Sequence, residues 1–144
     1  MPKEELVVHS SLLTLTTHGF SDVHDLTSDL QRAVGFSRVT DGIVVIFVPG
    51  STAGVTTIEF EGGAIEDLKK AIERIAPHDI HYAHDARWGD GNGFAHVRAA
   101  LLGPSLAIPI KGGKMQLGTW QQIVLIDFDN RPRTRELQIQ ILGS

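Results

Sequence analysis

One run of the chain is apolar without interruption and consists mostly of β-branched residues. Residues 43–48 read Ile-Val-Val-Ile-Phe-Val, with Asp41-Gly42 before them and Pro49-Gly50 after them. A strand with one solvated face alternates apolar and polar residues, so an unbroken run favours a strand buried on both faces. We therefore expect a central strand covered on both sides, with the rest of the chain folded around its sheet.

Further helices and strands are predicted from the spacing of apolar residues. Apolar residues at helical spacing predict helices from about Thr27 to Phe36, over 64–76 and from Gly93. Runs rich in Val, Leu, Ile and Thr predict strands at residues 55–60, 105–110, 115–117, 121–128 and 135–142. Residues 5–17 are expected to form one long strand or a strand pair broken near His9. We expect the last two strands of the chain to pair with each other.

Composition and charge exclude several classes of protein. The 144 residues are 42% hydrophobic, carry a net charge of −4 with both signs interspersed, and include no cysteine. The charge pattern shows no basic surface for nucleic acid or an anionic membrane. Because there is no cysteine, any metal must be bound by histidine, carboxylate or water. No apolar run approaches the roughly 20 residues of a membrane span, and no signal-peptide core opens the chain. We expect a single cytoplasmic domain over residues 1–144.

Residues 77–102 contain four of the seven histidines around a glycine-rich turn. Asn92 is predicted to cap the helix that begins at Gly93, with its side-chain carbonyl accepting from a first-turn N–H. His96 would then lie near a helix start, where N–H donors and the positive dipole end favour anions and a neutral imidazole can bind a metal or move a proton. We select His84 and His96 as the catalytic pair and the candidate metal ligands, and expect their rings to lie within about 8 Å.

Three further groups of polar residues each admit two interpretations. Ser51 and Thr52 lie in a loop whose N–H groups and hydroxyls could cradle a phosphate, or in a plain turn, since the Walker lysine pattern is missing. Glu59 either faces solvent or is an inward-facing carboxylate at the site. His78 and His81 are either surface histidines of a loop or additional ligands.

The order of the motifs resembles the YjbQ family, small proteins also labelled secondary thiamine-phosphate synthases. The similarity covers most of the chain and rests on Asp25-Leu26-Thr27, Pro49-Gly50-Ser51-Thr52-Ala53, His84 with Asn92-x-x-x-His96, Leu102-Gly103-Pro104-Ser105, Leu117-Gly118-Thr119-Trp120-Gln121-Gln122 and Pro132-Arg133-Thr134-Arg135. The resemblance implies an α+β fold, a sandwich of mainly antiparallel sheets with helices on the outside. It also implies a homotrimer packed around a threefold axis.

The chain departs from the family pattern at one informative place. Many family members carry His-Thr-Thr-Ala where this chain has Gly50-Ser51-Thr52-Ala53, so the imidazole that could complete a three-histidine cluster is missing. Only His84 and His96 carry over as the histidine pair, and a divalent metal such as Zn²⁺ or Mg²⁺ stays an open cofactor. The substitutes available for the missing ligand are Glu59, His78, His81 and water.

The family label implies a reaction that joins a pyrimidine diphosphate to a thiazole phosphate with loss of pyrophosphate. Such chemistry requires an anion cradle, usually with a divalent cation. Through the resemblance we add Asn92 and Glu59 to the catalytic group. We assign substrate binding to Ser51, Thr52, Gly118, Thr119, Gln121 and Arg133.

Alternative roles stay open for Arg133 and Trp120, and two function classes stay open for the whole protein. Arg133 could instead anchor a strand end or a subunit contact, and for Trp120 we favour packing, because large aromatic side chains usually contribute core or interface area. The first function class is a small-molecule enzyme that acts on a phosphorylated substrate at His84 and His96. The alternative is a non-catalytic homotrimer that binds a ligand or a metal.

Overall fold

Two antiparallel sheets face each other in the computed structural model, which describes residues 5–144. The predicted domain of residues 1–144 includes four residues that lie outside this range. The elements are β1 (Val7–Thr17), β2 (Asp22–Asp25), α1 (Thr27–Ser37), β3 (Asp41–Phe47), β4 (Ala53–Ile58), α2 (Gly62–Ile75), α3 (Ala83–Trp88), α4 (Gly93–Leu102), β5 (Ser105–Lys111), β6 (Lys114–Met115), β7 (Gln122–Asp127) and β8 (Arg133–Gly143). The α+β sandwich that the family resemblance implies is confirmed.

The two sheets differ in size and divide the strands in an order unlike that of the chain. The larger sheet has the strand order β1-β8-β3-β5-β6, and the smaller has β2-β7-β4. Of the two alternatives for residues 5–17, the structure shows one continuous strand, β1. β3 lies at the centre of the larger sheet, as expected. The predicted pairing of the last two strands is wrong, because β7 belongs to the smaller sheet and β8 pairs with β1 and β3. Residues 128–132 therefore cross from one sheet to the other instead of forming a hairpin.

The strand that is covered on both faces is β7, not β3. Ile123 and Leu125 of β7 lie in the core between the sheets, while Val124 and Ile126 pack against the helices on the other side. In β3, buried side chains alternate with exposed ones, and Ile43 remains 40% exposed. The predicted burial of β3 on both faces is therefore wrong for the single chain. α1 packs into the core on the inner face of the larger sheet, and α2 and α4 lie on the smaller sheet.

Helices cover the sandwich on two sides. α1 contributes Leu30 and Val34 to the core between the sheets, and α4 packs Phe94, Ala95 and Ala99 against β7. The helix α3 was not predicted, because six residues are too few to show a periodic spacing of apolar residues. No helix within residues 5–144 is long and apolar enough to cross a membrane.

We expect Leu125→Ala to lower the free energy of unfolding by about 2–5 kcal/mol, because it leaves a cavity at a side chain that is fully buried on a strand covered on both faces. Leu101→Ala is the control: it removes the same atoms from a side chain that is 65% exposed, so its loss should stay near about 0.5 kcal/mol. Urea denaturation followed by circular dichroism measures both. Similar losses for the two variants would contradict the burial of Leu125 in the core between the sheets.

Candidate functional site

The two histidines selected from the sequence lie side by side. His84 is on α3 and His96 is on α4, and their ring centroids are 4.3 Å apart with the planes tilted by 39°. The turn between the helices contains Gly89 and Gly91, both with a left-handed φ that favours glycine. This turn folds α3 back against α4, so the expected approach of the rings within about 8 Å is confirmed.

The start of α4 is capped by a different residue from the predicted one. The side chain of Asn92 makes no capping hydrogen bond, and its backbone φ of −107° and ψ of 10° are not the extended values usual for a cap. The Gly93 N–H instead donates to Asp85 Oδ1 at 2.8 Å, and Asn92 Oδ1 accepts from the Asn130 N–H at 3.1 Å. The predicted cap is therefore wrong, and the Asp85 carboxylate already accepts a hydrogen bond from the first N–H of the helix.

Position 93 tolerates no side chain. A Cβ on Gly93 would lie 2.5 Å from the Cβ of Tyr82, which precedes α3. The Tyr82 hydroxyl donates to the Pro77 carbonyl at 2.6 Å, and burial raises the pKa of that hydroxyl. The close approach of α4 to this tyrosine fixes the two histidine-bearing helices against each other.

Carboxylates that the sequence analysis did not select surround His84. His84 Nδ1 lies 3.3 Å from Asp90 Oδ1 and 3.7 Å from Asp85 Oδ1. The nitrogen is buried and has no hydrogen-bond partner among the described residues. Donor atoms of these three residues all lie within 4.8 Å of one another, so the group could hold a metal ion. Both aspartates are within six positions of His84 in the sequence, a proximity that could have indicated them.

A second group that could hold a metal ion consists of Glu73, His78 and Asp79. Glu73 is already engaged there, since its Oε1 lies 2.6 Å from His78 Nδ1 and its Oε2 pairs with the buried guanidinium of Arg98. Burial acts to raise the pKa of Glu73, but His78 and Arg98 hold it below the ordinary glutamate value. His81 is exposed, and neither His78 nor His81 belongs to the group around His84.

A buried polar network joins the loop before β4 to the start of β8. Thr52 donates from Oγ1 to Asp129 Oδ2 at 2.9 Å and accepts from Arg135 Nη2 at 2.7 Å. Arg133 Nε donates to the same Asp129 oxygen at 3.1 Å. Arg135 in turn pairs with Asp127 through Nε at 2.7 Å and Nη2 at 3.0 Å. Thr52 and Arg133 of the predicted site are thus brought together by Asp129, which the sequence did not indicate.

Two asparagines connect this network to the histidine pair. The Asn130 side chain donates from Nδ2 to the Asp90 carbonyl at 2.8 Å, and the Asn130 N–H donates to Asn92. Asn92 is also one of the groups that stabilise the Asp129 carboxylate. A continuous set of contacts therefore runs from Thr52 and Arg133 to the turn that holds Asp90 beside His84.

The remaining predicted residues lie at the other end of β4. Gln121 donates from Nε2 to Thr57 Oγ1 at 3.1 Å, and its Oε1 accepts from the Gly118 N–H at 3.0 Å. Glu59 directly follows β4 there and is exposed. Thr52 and Glu59 flank the six residues of β4, so they lie about 23 Å apart along the strand.

The predicted set therefore divides into two groups within one chain. Thr52, Arg133 and Asn92 belong to the part connected with the histidine pair, and the exposed Ser51 adjoins Thr52. The far group is made up of Glu59, Gly118, Thr119 and Gln121. Trp120 is 71% exposed beside that group, so it contributes nothing to the core of the single chain.

Asp129 is the carboxylate on which the network converges. Burial alone would raise its pKa, but the Thr52 hydroxyl, the Arg133 guanidinium and the Asn92 amide hold the pKa below the ordinary aspartate value. Its side chain is fully buried, so its charge is stabilised by these fixed partners rather than by water.

A lowered pKa in the folded state predicts a loss of stability in acid. The contribution of Asp129 is fully present above the unfolded pKa of about 4 and disappears as the pH falls below that value through the folded pKa. We therefore expect the free energy of unfolding to fall more steeply below about pH 4 in the wild type than in Asp129→Asn. Denaturant titrations between neutral and acidic pH measure this. Asp67→Asn on the exposed face of α2 is the control and should keep the wild-type slope; a wild-type slope in Asp129→Asn would contradict the assignment.

Comparisons with known proteins point to one group of relatives. The family model described as "UPF0047 protein YjbQ-like" matches residues 11–144. A UPF0047 protein of Archaeoglobus fulgidus is 37% identical over 130 residues, which cover 90% of this chain and 98% of the relative. The UPF0047 protein YugU of Bacillus subtilis is 31% identical, with 91% of this chain and 97% of the relative covered.

Solved structures show the same similarity. A YbjQ-like protein of unknown function from Sulfolobus solfataricus superposes with a TM-score of 0.92 and 30% identity, covering 97% of this chain and all of that one. An uncharacterized conserved protein of the YjbQ/UPF0047 family from Clostridium acetobutylicum gives a TM-score of 0.84 with 35% identity and covers 91% and 98%.

Proposed function

Because the chain belongs to the YjbQ-like UPF0047 family, we propose that it is a cytoplasmic small-molecule enzyme of the thiamine-phosphate-synthase-like type. It acts on a phosphorylated substrate at the pair formed by His84 and His96. The observation that supports this is the 4.3 Å approach of the two rings. Two adjacent imidazoles beside carboxylates are suited to accept and donate protons in a reaction.

Side chains rather than the helix start recognise the phosphate in this proposal. Asp85 takes the first N–H of α4, so a substrate anion would compete there with a carboxylate. The Arg133 side chain is 36% exposed while Asp129 holds it from the buried side. A guanidinium oriented in this way presents donors suited to a phosphate group, and the exposed Ser51 adds a hydroxyl nearby.

A divalent metal at His84 belongs to the same proposal. The residues fit such an ion, because a buried imidazole nitrogen without a hydrogen-bond partner faces two carboxylates. A metal held there would supply positive charge to the phosphate groups of the substrate and to a leaving pyrophosphate.

We expect His96→Ala to weaken the binding of phosphate esters by about ten- to hundredfold, the equivalent of about 1.5–3 kcal/mol for one charge-assisted contact. Titration calorimetry with thiamine phosphate and with simpler phosphate esters measures the effect. His81→Ala is the matched control, because it removes an exposed imidazole outside the group around His84. Equal affinities of His96→Ala and wild type would place the binding site away from His96 and favour the non-catalytic alternative.

The alternative is a non-catalytic ligand- or metal-binding homotrimer, and the outer face of the larger sheet supports the homotrimer. The paired residues Val8, Leu142 and Ile43 form an apolar row across β1, β8 and β3 on this face, and Leu12 and Phe47 lie on either side of Gln138 in another row. Val8 and Leu12 are each 62% exposed, and Ile43, Phe47 and Leu142 are each 40% exposed. An apolar face that crosses three strands is typical of a surface covered by another protein. We propose that copies of the chain cover it in a homotrimer, an assembly that serves either function.

The assembly can be tested with a pair of phenylalanine variants. Phe47→Lys places a charge on the outer face, and we expect it to convert a trimeric mass to a monomeric mass in light scattering, because burying an unpaired charge opposes association. Phe36→Lys on α1 is the control; this side chain is 81% exposed and lies on the inner side of β1. A wild type that is monomeric at micromolar concentration would exclude the trimer.

A further inference from the structure

We propose that His84, Asp85 and Asp90 bind a divalent transition-metal ion through one imidazole nitrogen and two carboxylates, with His96 outside the ligand set. This names the metal ligands of the site and rests on the proposed function only for its location. The three residues belong to α3 and the turn that follows it, so the group is built within a segment of seven residues.

The contacts of His84 Nδ1 are the first argument. Asp90 Oδ1 at 3.3 Å and Asp85 Oδ1 at 3.7 Å are its charged neighbours, yet neither meets the geometry of a hydrogen bond. Two carboxylates that converge on a buried imidazole nitrogen repel one another unless a proton on the ring or a metal cation lies among them. A cation satisfies all three atoms at once.

The orientation of the two carboxylates is the second argument. Asp85 Oδ1 accepts from the Gly93 N–H at 2.8 Å, and Asp90 Oδ1 accepts from the Asn92 N–H at 3.2 Å. The Asp90 carbonyl is held in addition by the Asn130 side chain. Hydrogen bonds of this kind orient metal ligands and reduce the conformational entropy lost on binding. Both carboxylates are thus fixed by the backbone before an ion arrives.

The donor set indicates the class of ion. One imidazole with carboxylates and no thiolate suits Zn²⁺, Mn²⁺ or Fe²⁺. Ca²⁺ takes six to eight oxygen ligands, more than this group provides. Water or substrate oxygens would complete the coordination, which leaves room for a phosphate.

His96 has a different place in this arrangement. Its ring centroid lies 4.3 Å from that of His84, with the two planes tilted. Its nitrogens are not among the donor atoms that lie within 4.8 Å of one another. It stays available for proton transfer or for the substrate. Because two carboxylates act as ligands, this set of ligands does not need the histidine that many family members have at the position of Gly50.

Calorimetric titration of chelator-treated protein with Zn²⁺, and separately with Mn²⁺, tests the proposal without any substrate. We expect one ion per chain, and a loss of at least about tenfold in affinity for Asp90→Asn and for His84→Ala. Asp79→Asn is the matched control, since it changes an aspartate of the second group, and it should keep the wild-type affinity. Circular dichroism confirms that each variant is folded; Asp85 is left intact because it also caps α4.

His96→Ala decides between the two ligand sets. We expect its metal affinity to stay within about threefold of the wild type. A loss equal to that of Asp90→Asn would overturn the proposal in favour of a two-histidine site, and so would unchanged binding in Asp90→Asn. Failure to bind either ion overturns it as well, whereas the phosphate-ester titrations of His96→Ala test the proposed function separately.

Discussion

A buried ion pair between the two sheets determines where the rest of the site lies. Asp127 of β7 is fully buried and Arg135 of β8 is 9% exposed, and they meet through two hydrogen bonds. Thr17 Oγ1 and the Asp129 N–H complete the hydrogen bonds of the carboxylate. Removal of one partner of such a pair typically costs about 3–5 kcal/mol, because the other charge stays buried and uncompensated. The pair fixes both ends of the crossing segment, residues 128–132, which contains Asp129 and Asn130, and it holds the adjoining Arg133.

The sequence predicted most of the helices and strands, but not which strand is covered on both faces. Residues 43–48 and 123–128 are both almost entirely apolar, so hydrophobicity alone does not distinguish β3 from β7. The difference comes from the helices, since α4 packs on the outer side of β7. Pairing of consecutive strands is the usual expectation. It failed for β7 and β8 because Asp127 and Arg135 join these strands across the core, a contact between sheets that no local pattern indicates.

The candidate site was predictable where a motif specified it and not where distant contacts complete it. His84 and His96 were found because a helix start and a family motif agreed on them. Asp85 has the capping role that was expected of Asn92, and it lies eight positions before Gly93, whose N–H it accepts. Capping rules consider only residues next to the helix start, so they did not indicate Asp85. Asn92 instead bonds to Asn130, which is 38 positions away. Thr52 was selected for its hydroxyl, but the aspartate that orients it lies 77 positions further along the chain.

The position of β8 in the larger sheet has a consequence for biosynthesis. β8 lies between β1 and β3 and pairs with both, so β1 has no strand partner in that sheet until residues 133–143 have left the ribosome. Its partners are more than a hundred positions away, and such long-range pairing is slow to form. The eleven residues of β1 contain no proline, lysine or acidic residue to protect an open edge. During synthesis, β1 is therefore the segment of the larger sheet that waits longest for its partner and most needs protection from pairing with another chain.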